Sequence, residues 1–326
     1  MKAIVYHHYG SPDVLRYEDV EKPTAGDNQV LIKVRAASVN PFDWHFMRGT
    51  PYIMRMQAGV LKPKDMRLGV DAAGQVEAVG RNVTQFKPGD HVFGGCRGAL
   101  AEYACASELM FVKKPDRVTF EQAAAVPVAA RTALQGLRDK GHIQPGQKVL
   151  INGAAGGVGT FAVQIAKWFG ADVTGVCSTR NVEMVRSIGA DRAIDYTQQD
   201  FARSGQRYDV LFDAVGNRSL LACRRALNPT GICVVVTGPD GRWMGPLTRL
   251  VNALVLSPFV SQHLVPFMAK PSQEDLTTMG ELMVAGKVTP VIDKRYRLSE
   301  AAEAMRYLET GHARGKVVVT MDGELQ

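Results

Sequence analysis

Lys148-Val149-Leu150-Ile151-Asn152-Gly153-Ala154-Ala155-Gly156-Gly157-Val158-Gly159 is the stretch that decides how this chain is read. Three consecutive apolar residues, Val149, Leu150 and Ile151, run directly into glycine and alanine. A helical spacing follows, in Val158, Phe161, Ala162, Ile165, Ala166 and Phe169. Apolar strand, glycine turn and amphipathic helix form the opening of a dinucleotide-binding βαβ unit. Gly156 lets the backbone approach a pyrophosphate, and Gly159 lets the helix pack close to the strand. The helix N-terminus adds free N–H groups and the positive end of a dipole for the phosphates. Alanine stands at position 154, where the fingerprint has its first glycine. A tight turn without a ligand therefore stays open as an alternative on this stretch alone.

Working outward, strands and helices alternate after the loop. Strands are expected at 172–176, 191–195, 208–213 and 231–236, and helices at 182–188 and 219–227. That alternation predicts a doubly wound parallel sheet. Before the loop, Thr119 and Gln122 form a capping box that starts a helix, and a second helical stretch covers 131–140. Earlier still, residues 1 to about 125 are β-rich. Short runs at 3–6, 29–34, 74–79, 91–93 and 109–112 are punctuated by Pro and Gly, as in a barrel-like domain. Residues 239–271 are strongly apolar with a few basic residues (Arg242, Trp243, Leu250, Leu254, Phe259 and Phe267 among them). This segment reads as a pocket wall or a subunit interface, with a membrane-surface patch as the less favoured alternative because Pro246, Pro258 and Pro266 cut a long helix short. Amphipathic helices are expected at 273–286 and 299–308, the latter with Ser299 as N-cap, before a closing strand at 314–320.

With 326 residues the chain is long enough for two domains. Its 46% hydrophobic and 22% charged residues are those of a globular protein. The net charge of +7 is scattered rather than blocked, which argues against a nucleic-acid partner. Five cysteines, an odd number with no Cys-x-x-Cys pair, point to reduced thiols. Met1-Lys2-Ala3-Ile4-Val5-Tyr6 enters a strand-like run with no leader pattern, and no 18-residue uncharged apolar run supports a membrane span. The expected location is the cytoplasm.

The motifs Gly153-Ala154-Ala155-Gly156-Gly157-Val158-Gly159, Ser187-Ile188-Gly189-Ala190-Asp191 with Asp195-Tyr196, Val39-Asn40-Pro41-Phe42-Asp43, Lys87-Pro88-Gly89-Asp90-His91-Val92 and Arg314-Gly315-Lys316 come in this order along the chain. Together they resemble the medium-chain dehydrogenase/reductase superfamily, in its zinc-free quinone oxidoreductase (zeta-crystallin-like) branch. Residues 241–320 are similar to the reticulon-4-interacting-protein and chloroplast-envelope quinone oxidoreductase subgroup. The resemblance implies an α/β protein with a GroES-like β domain over 1–124 and 270–326 and a Rossmann domain inserted over 125–269. A homodimer is expected.

Zinc enzymes of that superfamily take three metal ligands from three chain positions. The resemblance places those positions at Asn40, Val70 and Val128, and the family's Gly-His-Glu triplet reads Gly69-Val70-Asp71. Two valines cannot ligate zinc. Cys96 and Cys105 stand alone, so a structural-zinc loop is missing too, and a site from His45, His91 and Cys96 has no standard spacing. No metal is expected. Without a Lewis acid to stabilise an alkoxide, reduction of an electron-poor quinone or enone is favoured over alcohol oxidation.

NAD-specific Rossmann folds carry a carboxylate at the end of the second strand. Here Cys177-Ser178-Thr179-Arg180-Asn181 has none. Ser178 and Arg180 can hold a 2′-phosphate instead, which predicts NADPH; a solvated Arg180 and an N-cap Ser178 are the bland alternative. From the family come Tyr196 along the cofactor and Thr132 by the nicotinamide, the latter with an ordinary helix residue as its alternative; Lys316 reads equally as a residue of the cofactor or substrate mouth and as a surface lysine. The loop residues Ala154, Gly156, Gly157 and Val158, with Val215 and Thr237 after the fourth and fifth strands, complete the expected cofactor set. Asn40, Asp43 and Tyr52 are the candidates to touch the acceptor oxygen; helix capping, turn formation and wall packing are their structural alternatives. An NADPH-binding protein with little turnover and a zinc-independent alcohol dehydrogenase are the competing functions.

Overall fold

The computed structural model describes residues 1–237 and 245–321. Two compact units emerge, Met1–Arg131 with Pro271–Gln326, and Thr132–Lys270. Among the described residues no helix is long and apolar enough to cross a membrane.

In the second unit Val149, Leu150 and Ile151 are all fully buried. A strand covered on both faces needs apolar residues without alternation, which is why this run reads as it does. Each such side chain contributes about 2 kcal/mol by burial. The strand, Lys148–Asn152, lies inside a parallel sheet of six. Its spatial order is Arg192–Asp195, Asp172–Cys177, Lys148–Asn152, Tyr208–Asp213, Leu227–Val235 and His263–Pro266. In chain order this is 3-2-1-4-5-6, with every pairing parallel. The order reverses between Lys148–Asn152 and Tyr208–Asp213, so a crevice opens at their carboxyl ends, where ligands bind in such sheets. The register sets Asn152 beside Asp213 at that edge.

The apolar segment turns out to complete this sheet. Pro246–Leu256 is a helix and His263–Pro266 is the sixth strand. Ala253 and Leu264 are buried, and Leu250, Leu256 and Val260 pack against the same core. Leu254, Val255 and Phe259 stay 61%, 59% and 81% exposed. Gly238, Gly241, Arg242, Trp243 and Met244 lie outside the described residues.

In the first unit Gln29–Val39 organises a seven-stranded sheet. It pairs with Tyr103–Ser107 through its first half and with Lys316–Thr320 through its last residues, and with Asp71–Val79 along the other edge. Ser38 is opposite Asp71, and Val39 is opposite Val317. Ser38, Asn40, Asp71 and Lys316 are thereby delivered to one place from three distant parts of the chain.

Of two local expectations, one shifts. The capping box forms as read: Gln122 N donates to Thr119 Oγ1 at 3.1 Å and Thr119 N to Gln122 Oε1 at 3.0 Å, worth about 1 kcal/mol to the helix start. Ser299, however, is not a helix N-cap. Arg297 N donates to Glu300 Oε2 at 2.8 Å and Leu298 is fully buried, so the turn Leu298–Glu300 begins earlier and runs into the helix Ala301–Glu309.

Candidate functional site

The second unit carries the glycine loop. Its left-handed residue is Gly153, at φ +86°. The tight turn is therefore made one residue before Ala154, which is buried and donates its N–H to Val176 O at 3.0 Å. Alanine is tolerated at 154 because glycine at 153 already supplies the conformation. Gly156 is the N-cap of the helix Gly157–Trp168, and no side chain caps it. The first-turn N–H groups, those of Gly157 and Val158 among them, lack intrahelical acceptors and face the carboxyl end of the sheet. A Cβ on Gly156 would meet only Gly153 O, at 3.5 Å, whereas one on Gly159 would fall 2.0 Å from Gly153 O and 2.8 Å from Ala154 Cα. The two glycines thus do different things: Gly159 is required by the fold, and Gly156 leaves space above the helix end.

At the end of Asp172–Cys177 the chain turns through Ser178 into Thr179–Asn181. Asn181 is 6% exposed and its Nδ2 donates to Ser178 Oγ at 3.1 Å. Arg180 is exposed, and Tyr196, at the end of the neighbouring strand, is 46% exposed. The structure brings Ser178, Arg180 and Tyr196 to the same sheet edge. Asp195 is turned to Thr179, whose Oγ1 donates to it at 2.6 Å, and to Thr197. Val215 follows the fourth strand and is 41% exposed; Thr237 follows the fifth and is half-buried; Thr132 is 8% exposed in the helix Pro127–Gln135.

The first unit holds a buried polar cluster. Lys316 Nζ donates to Asn40 Oδ1 at 2.6 Å and lies 3.5 Å from Asp71 Oδ2. Asn40 Nδ2 donates to Asp71 Oδ2 at 2.9 Å and to Ser38 O at 3.3 Å. Ser38 Oγ and Val128 N also donate to the Asp71 carboxylate, both at 3.0 Å. Asp43, third residue of the helix Pro41–Arg48, accepts Asn40 N at 2.8 Å. Burial pushes the Asp43 carboxyl up to about 7; the Asn40 N–H opposes the rise and the Asp71 carboxylate adds to it. Burial also lowers Lys316, against the pull of Asp71 and Asp43.

This cluster decides whether zinc fits. The three positions that the family resemblance assigns to metal ligands do converge, since Asn40, Asp71 beside Val70, and the Val128 amide all meet at the Asp71 carboxylate. Their charge partner is the Lys316 ammonium, and the Val70 and Val128 side chains have no donor atom. A divalent cation would sit against an ammonium with too few ligands, so the residues do not fit zinc. The other candidates are placed differently. His45 Nδ1 lies 2.8 Å from Thr50 O, His91 packs on Phe120 with ring centroids 5.1 Å apart, and burial pushes the Cys96 thiol up to about 12.

Asn40 and Asp43 are therefore together, but both amide hydrogens of Asn40 are used within the protein. Its direct role is to hold Lys316 and Asp71. Asp43 lines a cavity of about 260 Å³ with Tyr6, Phe42, Phe46, Leu68 and Val70. Tyr52 is not among the lining residues; its ring takes the Arg55 guanidinium at 4.8 Å, and Arg55 also lies 4.4 Å over Tyr9. Lys316 is 3% exposed within the cluster. Sequence reasoning missed Asp71 and Tyr6. Asp71 had a signal, a carboxylate in the triplet beside Val70. The Tyr6 phenol is 2% exposed and raised by burial, with Tyr9, Asp65 and Asp43 adding to it, but it looked like any strand residue.

Two family models match the chain, an alcohol dehydrogenase GroES-like domain over residues 26–116 and a zinc-binding dehydrogenase over residues 188–319. The chain is 36% identical, over 98% of both sequences, to the chloroplast envelope quinone oxidoreductase homolog of Arabidopsis thaliana. It is also 36% identical to the NADPH-dependent alkenal/one oxidoreductase, chloroplastic, of the same plant, over 98% of this chain and 79% of that one. The solved quinone oxidoreductase of Coxiella burnetii superposes with a TM-score of 0.88 at 32% identity, over 98% of this chain and 99% of its own. These relatives correct one expectation. Both plant proteins are named for the chloroplast, and mammalian relatives are named for the mitochondrion, which overturns the cytoplasmic reading. Reduced thiols do not single out the cytoplasm, so the cysteine count could not carry that inference. With a GroES-like β domain, a six-stranded Rossmann sheet and similarity along nearly its whole length, the chain belongs to the medium-chain dehydrogenase/reductase family, in its quinone oxidoreductase branch.

Proposed function

We propose that this protein is an NADPH-dependent oxidoreductase that reduces a quinone or an α,β-unsaturated carbonyl without zinc. The observation that carries it is the sheet edge that an uncapped helix N-terminus, after Gly156, shares with Ser178 and Arg180, with no carboxylate at the end of the second strand. The helix end suits a pyrophosphate, and the hydroxyl and guanidinium suit a 2′-phosphate. NADPH, when bound, supplies a hydride from its nicotinamide ring. The names of the Arabidopsis relatives support both the cofactor and the acceptor class.

The Lys316 ammonium supports the zinc-free part of the reading. It supplies a positive charge where the resemblance puts the metal, and through Asn40 and Asp71 it fixes the Val128 amide. We assign Asp43 to hold the proton that the reduced acceptor takes up, because its carboxyl is neutral up to about pH 7 and lines the cavity with Tyr6. The homodimer reading is supported by the sixth strand, His263–Pro266, which ends the sheet order, and by Leu254, Val255 and Phe259, exposed on the preceding helix and turn.

The test is NADPH oxidation with a small panel of quinones and 2-alkenals, run beside NADH. Turnover with at least one class and a preference for NADPH is expected. Tight NADPH binding with no turnover across the panel would move the reading to a binding protein, and alcohol-dependent NADP reduction would move it to an alcohol dehydrogenase.

A further inference from the structure

We infer that Arg249 sets the loop 214–218, which follows the fourth parallel strand, in the conformation that accepts the cofactor. Arg249 is thus a positioning residue for NADPH binding, an inference that rests on the NADPH reading above. It comes from the helix Pro246–Leu256, in the apolar segment, and is 6% exposed. Its Nη1 donates to the carbonyl oxygens of Gly216, at 3.3 Å, and Arg218. Its Nη2 pairs with Asp213 Oδ2 and lies 3.5 Å from Cys223 Sγ.

Asp213 completes the clamp from the other side. Its Oδ1 accepts Gly216 N at 2.9 Å, Val215 N at 3.3 Å and Asn152 Nδ2 at 2.8 Å. The loop's amides are therefore held by one member of a buried ion pair and its carbonyls by the other. Asn152 Nδ2 also donates to Asn217 Oδ1 at 3.0 Å. Asn152 is the residue before Gly153, so the network joins this loop to the glycine turn. Their packing is close: a Cβ on Gly153 would lie 2.4 Å from Val215 Cγ2. Val215 therefore packs against the backbone of the turn that feeds the helix N-terminus.

A buried ion pair contributes little net stability compared with apolar residues of the same volume. What this one supplies is placement. Arg249 Nε is buried with no partner, an orphan that a lysine would not leave. Lysine, though, offers a single ammonium and cannot reach a carboxylate and two carbonyls from a planar fork. The choice of arginine fits a requirement for several directed bonds to one loop.

The experiment uses the full chain. NADPH binding is titrated at equilibrium and steady-state kinetics are measured for Arg249→Lys, with circular dichroism to confirm folding. The dissociation constant and KM for NADPH should rise roughly tenfold while kcat at saturating NADPH stays within about twofold. If Arg249→Lys does not fold, Asp213→Asn/Arg249→Met, which leaves no uncompensated charge, carries the same expectation. Hydrogen exchange on the cofactor-free wild type adds a measurement without mutation: the Gly216 amide should exchange slowly. A folded variant with wild-type NADPH affinity, or a Gly216 amide that exchanges as fast as a solvated loop, overturns the inference. A wild type that exchanges slowly at Gly216 but does not bind NADPH overturns the functional reading instead.

Discussion

Lys316 and Asn40 are 276 residues apart in the chain and 2.6 Å apart in the fold, Nζ to Oδ1. Both are at least 97% buried, and Asp71 beside them is fully buried. An ammonium in such a place persists only while its carboxylate partner is present. Lys316→Met should therefore destabilise the protein by about 3–5 kcal/mol, since Asp71 is left charged and unpaired. Adding Asp71→Asn should recover part of that loss. Urea midpoints of the wild type and the two variants check this; a Lys316→Met midpoint equal to wild type would mean that the pair is not formed.

Asp43 gives a pH dependence with a definite sign. Its carboxyl rises from the ordinary 3.8 to about 7 on folding, chiefly through burial. The folded state then holds the proton more tightly than the unfolded one. The stabilisation is complete below 3.8 and is lost as pH rises through about 7, with a slope of up to about 1.4 kcal/mol per pH unit. The stability of wild type relative to Asp43→Asn should fall across that window and level off above it. Chemical denaturation of both proteins at several pH values reads this out, and a constant difference would refute it.

Gly156 and Gly159 should separate binding from folding. A Cβ at 159 collides with backbone, at 2.0 Å from Gly153 O, while one at 156 meets nothing closer than 3.5 Å. Gly159→Ala is expected to lower the melting temperature strongly. Gly156→Ala is expected to leave it within a few degrees but to weaken NADPH binding about tenfold or more, because the methyl occupies the space over the helix N-terminus. Thermal melts with and without NADPH decide between these outcomes.

Arg180→Ala should raise KM for NADPH about tenfold and change that for NADH little, because the 2′-phosphate is the only difference between the two. Equal effects on both cofactors would remove Arg180 from the phosphate site.

Much of this was legible in the sequence because its signals are local. Val149, Leu150 and Ile151 are adjacent, Thr119 and Gln122 are three residues apart, and Ser178 and Arg180 share one turn. The rest depends on long-range contacts that leave no spacing to read. In the sequence Arg249 is one basic residue in an apolar run, yet it reaches Asp213, and Lys316 reads as a mouth or surface lysine, yet it is buried against Asn40. The sixth strand was hidden because His263–Pro266 is four residues long and ends in proline. Ala154 stands where the fingerprint has a glycine, but the left-handed turn is at Gly153.

The most direct test of the account is the turnover of NADPH with a quinone or 2-alkenal acceptor after exhaustive chelation, with zinc content measured on the same sample. The account predicts undiminished activity at a zinc content far below one per chain. Activity that disappears on chelation and returns with zinc would contradict it.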